Sequence, residues 1–147
     1  MSLPKRGASL DGATGFTLIE LLVVVVIIGL LAAFVAPKYF DQVGKSSTKI
    51  AKAQIVSLEQ SLDQYRLDMG GYPTTDMGLA ALVTRPSGEV ASRWQGPYLK
   101  RAVPNDPWGR PYQYISPGQE GREYEIRSFG ADGKSGGAGE DADITSF

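Results

Sequence analysis

One unbroken apolar run near the N-terminus constrains this chain more than any other feature. The run, FTLIELLVVVVIIGLLAAFVA, extends from Phe16 to Ala36 and holds a single charged side chain, Glu20. As a helix it would be about 31 Å long, which matches the hydrocarbon core of a bilayer. It is longer than the ~7–15 apolar residues of a secretory signal peptide, and no small-x-small cleavage pair follows it. The run therefore predicts a membrane-spanning helix that is retained.

Glu20 is the residue of this run that needs an explanation. On insertion scales a charge at the centre of a membrane helix costs roughly 2.5–3.5 kcal/mol. Because Glu20 lies near the start of the run, its carboxylate could simply reach the membrane interface. Alternatively it pairs with a cation at the same depth, and cleavage between Gly15 and Phe16 would create one, the amine of Phe16. The residues alone leave both explanations open.

The composition limits the chemistry open to the chain. Its 147 residues include no histidine and no cysteine, and the formal net charge is −1. The commonest general base, the commonest zinc ligands, thiol nucleophiles and disulfides are therefore absent. These absences argue against an enzyme, and the small net charge argues against nucleic acid as a partner.

A second helical pattern follows the apolar run. Pro37 is expected to bend the helix without necessarily ending it. Apolar residues then recur at spacings of four and three, the stripe of an amphipathic helix: Ala51, Ile55, Leu58, Leu62, Tyr65 and Met69. Lysines occupy another face, where they are either solvated or bind lipid head groups or an acidic neighbour: Lys45, Lys49 and Lys52. Gly70, Gly71 and Pro73 supply the expected stop.

The middle of the chain has a different character. Six of the nine prolines lie between residues 72 and 111, which indicates an ordered, turn-rich connection. Within it TTDMGLAALVTRP predicts a short capped helix, and NDPWG places Pro107 and Gly109 where a β-turn requires them. YQYI and REYEIRSF alternate apolar and polar residues around SPGQEG, which predicts an antiparallel hairpin with one face in water.

The C-terminal segment, GADGKSGGAGEDADITSF, combines glycines with carboxylates. Five glycines lie between Gly130 and Gly139, and the side-chain charge from Asp132 to Asp143 is one lysine against four acids, or −3. Calcium prefers about six to eight oxygen ligands from carboxylates and carbonyls. An EF-hand does not fit, because lysine and glycine occupy ligand positions, and the calcium β-roll pattern GGAGED occurs only once. From the residues alone a calcium site and a frayed glycine-rich terminus both stay open.

The motif GFTLIELLVVVVIIG resembles the processing signature shared by type IV pilins and type II secretion pseudopilins. The resemblance continues through YPTTDMGLAALV, W-GPYL, P-DPWGRPYQY and SFGADGKSGGAGEDADI, which are similar to the major pseudopilin family of type II secretion systems. It covers the chain from Gly15 almost to Phe147. In this family a membrane aspartyl peptidase cuts after the glycine and methylates the new amine, which implies cleavage after Gly15 and N-methylation of Phe16.

The resemblance implies an α+β fold of the type IV pilin-like kind. A long N-terminal helix, with a transmembrane half and an amphipathic half, would pack on a small antiparallel β-sheet with a calcium-binding C-terminal loop. Residues 1–15 would be a prepilin leader peptide that is removed. Residues 16–36 would form the transmembrane and fibre-core helix, and residues 37–147 a periplasmic pseudopilin domain.

The implied function is structural: a subunit that polymerises into a periplasmic pseudopilus, which drives export of folded proteins. Glu20 would be the assembly residue and would pair with the Phe16 amine of a neighbouring copy. The calcium ligands carried over from the family are the Asp132 carboxylate, one or both of Asp141 and Asp143, and the Phe129 carbonyl.

The implied partners are further copies of the chain, minor pseudopilins, the prepilin peptidase, the inner-membrane assembly platform, and membrane lipid before assembly. The implied location is the inner membrane, with a single span and the C-terminal domain in the periplasm, although the lysines after the span favour the opposite orientation under the positive-inside rule. The alternative function is a type IV pilin of a surface fibre for adhesion or DNA uptake. A calcium-dependent, membrane-bound lectin ranks third and an enzyme last.

Overall fold

The computed structural model describes residues 15–146, with the backbone alone at residues 40 and 41. The chain divides into two compact units, Met1–Phe40 and Asp41–Phe147. One helix, α1 (Leu18–Met69), contributes to both units. The predicted leader peptide lies outside the described residues except for Gly15.

In the N-terminal unit, α1 is an apolar helix without protein cover. It is long and apolar enough to cross a membrane, and none of its most apolar stretch is buried. Leu18, for example, is 89% exposed and Phe34 71%. Pro37 lies inside α1 and does not end it, as the sequence predicted. Apolar surface all round a helix requires lipid or other helices as its surroundings.

In the C-terminal unit, α1 buries the predicted stripe. Ala51, Ile55, Leu58, Leu62 and Tyr65 are all at most 2% exposed, and Met69 is partly buried against them. The other side of this core comes from residues that follow the helix: Leu79, Leu82, Tyr112, Tyr114, Tyr124, Ile126 and Ile144. The spacing in the sequence therefore identified the buried face of the helix correctly.

The helix ends as the glycines predicted. Gly70 has a φ of 82°, a left-handed conformation that glycine adopts without strain. Its N–H donates to the Arg66 carbonyl at 2.8 Å, which satisfies one of the carbonyls left free at the end of α1.

Three short strands form one antiparallel sheet in the order β1-β2-β3. β1 is Gln113–Ile115, β2 is Glu125–Ser128 and β3 is Ile144–Thr145. Tyr114 lies opposite Ile126, and Ser128 lies opposite Ile144. The predicted class is confirmed: a long N-terminal helix with a small antiparallel sheet.

Two local predictions differ from the structure. TTDMGLAALVTRP forms a 3-10 helix, Leu79–Leu82, whose N-cap residue Gly78 offers no side-chain cap. The face of the hairpin that was predicted to lie in water is only partly so, because Gln113 is exposed but Glu125 is only 2% exposed. The Arg127 guanidinium covers it, with Nε donating to Glu125 Oε1 at 3.0 Å. Residues two apart on a strand share a face, so an acid and an arginine there shield each other.

Candidate functional site

The N-terminal end of α1 is closed by a reciprocal pair of hydrogen bonds between Thr17 and Glu20. The Glu20 N–H donates to Thr17 Oγ1 at 3.2 Å, and the Thr17 N–H donates to Glu20 Oε2 at 3.2 Å. The Thr17 hydroxyl also lies 3.2 Å from Oε2 and donates to it. This is a capping box, in which two backbone donors that the helix itself cannot satisfy are paired.

The capping role of Glu20 is a function that the sequence prediction missed. The pattern T-x-x-E directly before an apolar run is a recognised capping signal and would have identified it. Glu20 Oε2 accepts these bonds, whereas Oε1 has no hydrogen bond to any other residue in the described part of the chain. The carboxylate therefore keeps one oxygen available while the other caps the helix.

The predicted cleavage point lies just before this cap. Gly15 and Phe16 precede the first helical residue, and Phe16 is 87% exposed. No atom of the described residues lies within 4 Å of a Cβ built on Gly15. The structure thus places Gly15, Phe16 and Glu20 together at one accessible helix end.

The second candidate site is the C-terminal loop, residues 129–143, between β2 and β3. Its two sides meet at a closed neck, where the Ala131 N–H donates to the Glu140 carbonyl at 2.8 Å. Gly130 has a φ of 63°, and a Cβ there would lie 2.7 Å from the Glu140 carbonyl oxygen and 2.8 Å from that of Ala142. Only glycine permits this close approach, so the loop is an ordered turn structure and not a frayed end.

The predicted calcium ligands lie on both sides of this neck. Asp132 is exposed, and its Oδ1 accepts the Lys134 N–H at 2.9 Å. Asp143 Oδ1 accepts the Gly136 N–H at 3.1 Å, and its Oδ2 lies 3.9 Å from Arg127 Nη1. Asp141 is exposed and Phe129 is half-buried. The loop therefore contains all of the candidate residues, but it does not bring all of their carboxylates close together.

The loop offers the kinds of ligand that calcium takes, but the described part of the chain does not hold them in the arrangement of a calcium site. Carboxylate and carbonyl oxygens are the ligands that calcium takes, and the loop offers both. Among residues 15–146, however, no three carboxylates lie close enough together to hold a metal ion. Calcium at this loop accordingly stays a prediction.

Arg110 also contacts the loop, and no pattern in the sequence predicted this contact. Its Nη2 donates to the carbonyls of Gly130 and Ala131, at 2.6 Å each. The backbone N–H of Arg110 donates to Asp106 Oδ1 at 2.8 Å, within the turn that NDPWG predicted. That turn is confirmed by the Gly109 N–H, which donates to the Asp106 carbonyl at 2.9 Å.

The lysine face of α1 borders a groove of about 650 Å³. Lys45, Lys49 and Lys52 line one side, and Glu140 of the C-terminal loop lines the other. No described carboxylate lies within 4.0 Å of any of the three amines. Solvation and an anionic partner both remain compatible with this arrangement.

Comparison with known proteins finds similar sequences that match nearly the whole chain. Residues 38–147 match the family described as type II secretion system protein G, and residues 12–36 match the prokaryotic N-terminal methylation motif. The type II secretion system core protein G of Vibrio cholerae is 51% identical over 132 residues, 89% of each chain. That of Pseudomonas aeruginosa is 47% identical over 133 residues, which cover 89% of this chain and 92% of the relative.

A solved structure agrees with these relatives. The crystal structure of the major pseudopilin from the type 2 secretion system of enterohaemorrhagic Escherichia coli superposes with a TM-score of 0.54 at 37% identity. The match covers 69% of this chain and 87% of the other.

Proposed function

Because the chain belongs to the type II secretion system protein G family and is a structural subunit of the pseudopilus, we propose that α1 anchors each monomer in the inner membrane and then forms the core of the fibre. The observation that carries this proposal is the uncovered apolar surface of α1 in the N-terminal unit. Lipid covers such a surface before assembly, and sister helices cover it afterwards.

The processing steps follow from the accessible helix end. The prepilin peptidase removes residues 1–15 and methylates the Phe16 amine, at a bond that lies outside the helix. A leader-dependent peptidase must meet the leader on the cytoplasmic face, so residues 37–147 face the periplasm. There the subunit joins further copies, minor pseudopilins and the inner-membrane assembly platform. The surface-fibre alternative is not favoured, because the relatives carry the names of secretion-system proteins.

Glu20 sets the register of assembly in this proposal. An incoming subunit brings its Glu20 carboxylate to the Phe16 amine of the subunit before it. A charge left unpaired in hydrocarbon is strongly disfavoured, so a subunit that enters out of register is rejected. The free Oε1 of Glu20 allows this pairing while Oε2 keeps the capping box closed.

Two substitutions separate the charge of Glu20 from its capping role. Glu20→Gln keeps the capping box, since glutamine serves at that position as glutamate does, but it removes the charge. Glu20→Leu removes both. We expect both variants to be inserted in the membrane and cut after Gly15, and neither to form fibres; Glu20→Asp is partly defective because its side chain is shorter.

The measurement is the yield of sheared or crosslinked fibres from cells that make each variant at matched levels. Intact mass determines cleavage and methylation in the same samples, so that a methylation defect is not mistaken for an assembly defect. Normal fibre yield from Glu20→Gln would show that assembly does not need the charge and would overturn the pairing.

Calcium is the proposed ligand of the C-terminal loop. Asp132, one or both of Asp141 and Asp143, and the Phe129 carbonyl would hold it, from both sides of the neck. Bound there, calcium supplies a cross-link between the two sides of the loop in a chain that has no cysteine for a disulfide. Its role is therefore to stabilise the folded domain that the fibre displays.

A further inference from the structure

We propose that Arg110 is a positioning residue that holds the first turn of the C-terminal loop in place and thereby prepares the loop for its cation. The part of this inference that concerns affinity rests on the proposed calcium site. The part that concerns loop order stands on the contacts of Arg110 alone.

The guanidinium lies inside the first turn of the loop. Its Nη2 bonds to two successive carbonyls, those of Gly130 and Ala131, at 2.6 Å each. A Cβ built on Gly133 would lie 2.8 Å from Arg110 Cζ and 2.8 Å from Nε, and Gly133 has a φ of 69°. The loop thus wraps closely around the guanidinium, and it can do so because position 133 carries no side chain.

The base of the arginine is fixed as firmly as its tip. Asp106 is 5% exposed, and its Oδ1 accepts the backbone N–H groups of Trp108 at 3.1 Å and Arg110 at 2.8 Å. Its Oδ2 accepts the Ser128 hydroxyl at 2.6 Å, on the last residue of β2. The turn that carries Arg110 is therefore hydrogen-bonded to the end of β2. Arg110 in turn binds the first residues of the loop that follows β2.

The contacts of Arg110 are of the kind that an ordering cation makes. Carbonyl oxygens of a glycine-rich loop turn toward whatever positive charge is available, whether a guanidinium or a metal ion. Arg110 takes the two carbonyls between the proposed ligands Phe129 and Asp132. It fixes the path of the chain between those ligands without using either of their oxygens.

Two effects of Arg110 on calcium oppose each other. Its positive charge repels a second cation, but its bonds remove the conformational freedom that calcium would otherwise have to restrict. Arg110 is half-buried, and its Nη2 already donates to the carbonyl pair. Pre-ordering therefore dominates, and loss of Arg110 weakens calcium binding.

The test is hydrogen exchange by mass spectrometry on the full chain in detergent, in chelator, for the wild type, Arg110→Gln and Arg110→Lys. Arg101→Gln is the matched control, since Arg101 is exposed and makes no hydrogen bond or ion pair to another described residue. We expect amides of residues 131–140 to exchange about tenfold faster in both Arg110 variants, with β2 unchanged. Lysine does not restore protection, because one ammonium cannot reproduce the planar guanidinium.

Calcium titration of the same samples gives the second readout, and Arg110→Gln should weaken calcium binding several-fold. Equal loop exchange in the wild type and in Arg110→Gln would overturn the positioning role. Tighter calcium binding by Arg110→Gln would show that repulsion dominates and would overturn the pre-ordering. If no sample binds calcium, the metal proposal fails, and the exchange rates still decide the role of Arg110.

Discussion

At the scale of single residues, Gly44 shows how one missing side chain can fix the position of a distant segment. Gly44 lies in the middle of α1 and is buried, although glycine is a poor helix residue. A Cβ built there would overlap the carboxylate of Glu140 in the C-terminal loop. The absent methyl group therefore leaves room for the loop to rest on the helix.

This contact predicts a non-additive pair of substitutions. Glycine to alanine inside a helix normally stabilises by about 1 kcal/mol. In the wild type, the gain in unfolding free energy from Gly44→Ala should be much smaller, because the Glu140 side chain must move. In a Glu140→Ala background the full gain of about 1 kcal/mol should return. Urea unfolding of the four chains measures this, and an equal gain in both backgrounds would refute the contact.

At the scale of elements, the C-terminal loop is the segment whose stability should depend on a ligand. Calcium that binds only the folded state at 100 times its Kd adds about 2.7 kcal/mol to the unfolding free energy. We predict that a chelator lowers the melting temperature of the full chain in detergent, and that Asp132→Ala removes the effect of calcium. Magnesium should replace calcium poorly, because it requires tighter octahedral geometry.

Melting curves with calcium, magnesium and chelator test this expectation. Asp76→Ala is a suitable control, because Asp76 is an exposed carboxylate outside the loop. Superimposable curves with calcium and chelator would show that the acidic residues of the loop bind no calcium that matters for folding.

The elements differ in how well the sequence predicts them, and the reason is physical. The stripe from Ala51 to Tyr65 was predictable because helix periodicity is local and its burial repeats over many turns. The hairpin and the Asp106–Gly109 turn were predictable because residue types determine turns. The 3-10 form of Leu79–Leu82 was not, since the choice between two tight helices depends on packing.

The candidate sites show the same division. The capping box of Thr17 and Glu20 is local, and its pattern was present in the sequence. The contact of Arg110 with Gly130 joins residues 20 apart through the path of β2, and no local pattern encodes it. Glu125 is buried beneath the guanidinium of Arg127, two positions along the same strand, and alternation within the hairpin does not reveal this cover.

At the scale of the whole molecule, the core of the C-terminal unit is rich in tyrosine. Burial raises the pKa of Tyr112 and Tyr124, and it raises the pKa of Tyr114 to about 12. The hydroxyls are also engaged: Tyr114 donates to the Pro73 carbonyl at 2.8 Å, and Tyr112 donates to Gln54 Oε1 at 2.6 Å. Ionisation of these groups is therefore incompatible with the packed core.

This composition of the core predicts loss of stability at alkaline pH. In the unfolded chain the tyrosine pKa is about 10, below the folded values. Below that pH both states keep the proton and stability is unaffected; above it the unfolded state loses protons first, so stability falls. At about pH 11 the loss is at most about 1.4 kcal/mol for each buried tyrosine.

Thermal melts of the full chain in detergent between pH 8 and pH 11.5 measure this dependence. Tyr124→Phe should reduce the slope above pH 10, because one ionisable hydroxyl is gone. A melting temperature that stays constant through pH 11 would contradict the assignment of these tyrosines to the core.

The Ala131–Glu140 hydrogen bond makes the segment between those two residues tolerant of changes in length. The neck already brings the two ends of this segment together, so extra residues within the segment disturb neither β2 nor β3. For a flexible loop, doubling the number of residues costs only about 0.6 kcal/mol in closure entropy. Relatives of this chain could therefore gain residues between Lys134 and Ser135 while the sheet below stays the same. Variation in loop length is thus available to evolution as a cheap way to alter the exposed surface of a fibre without redesigning its subunit.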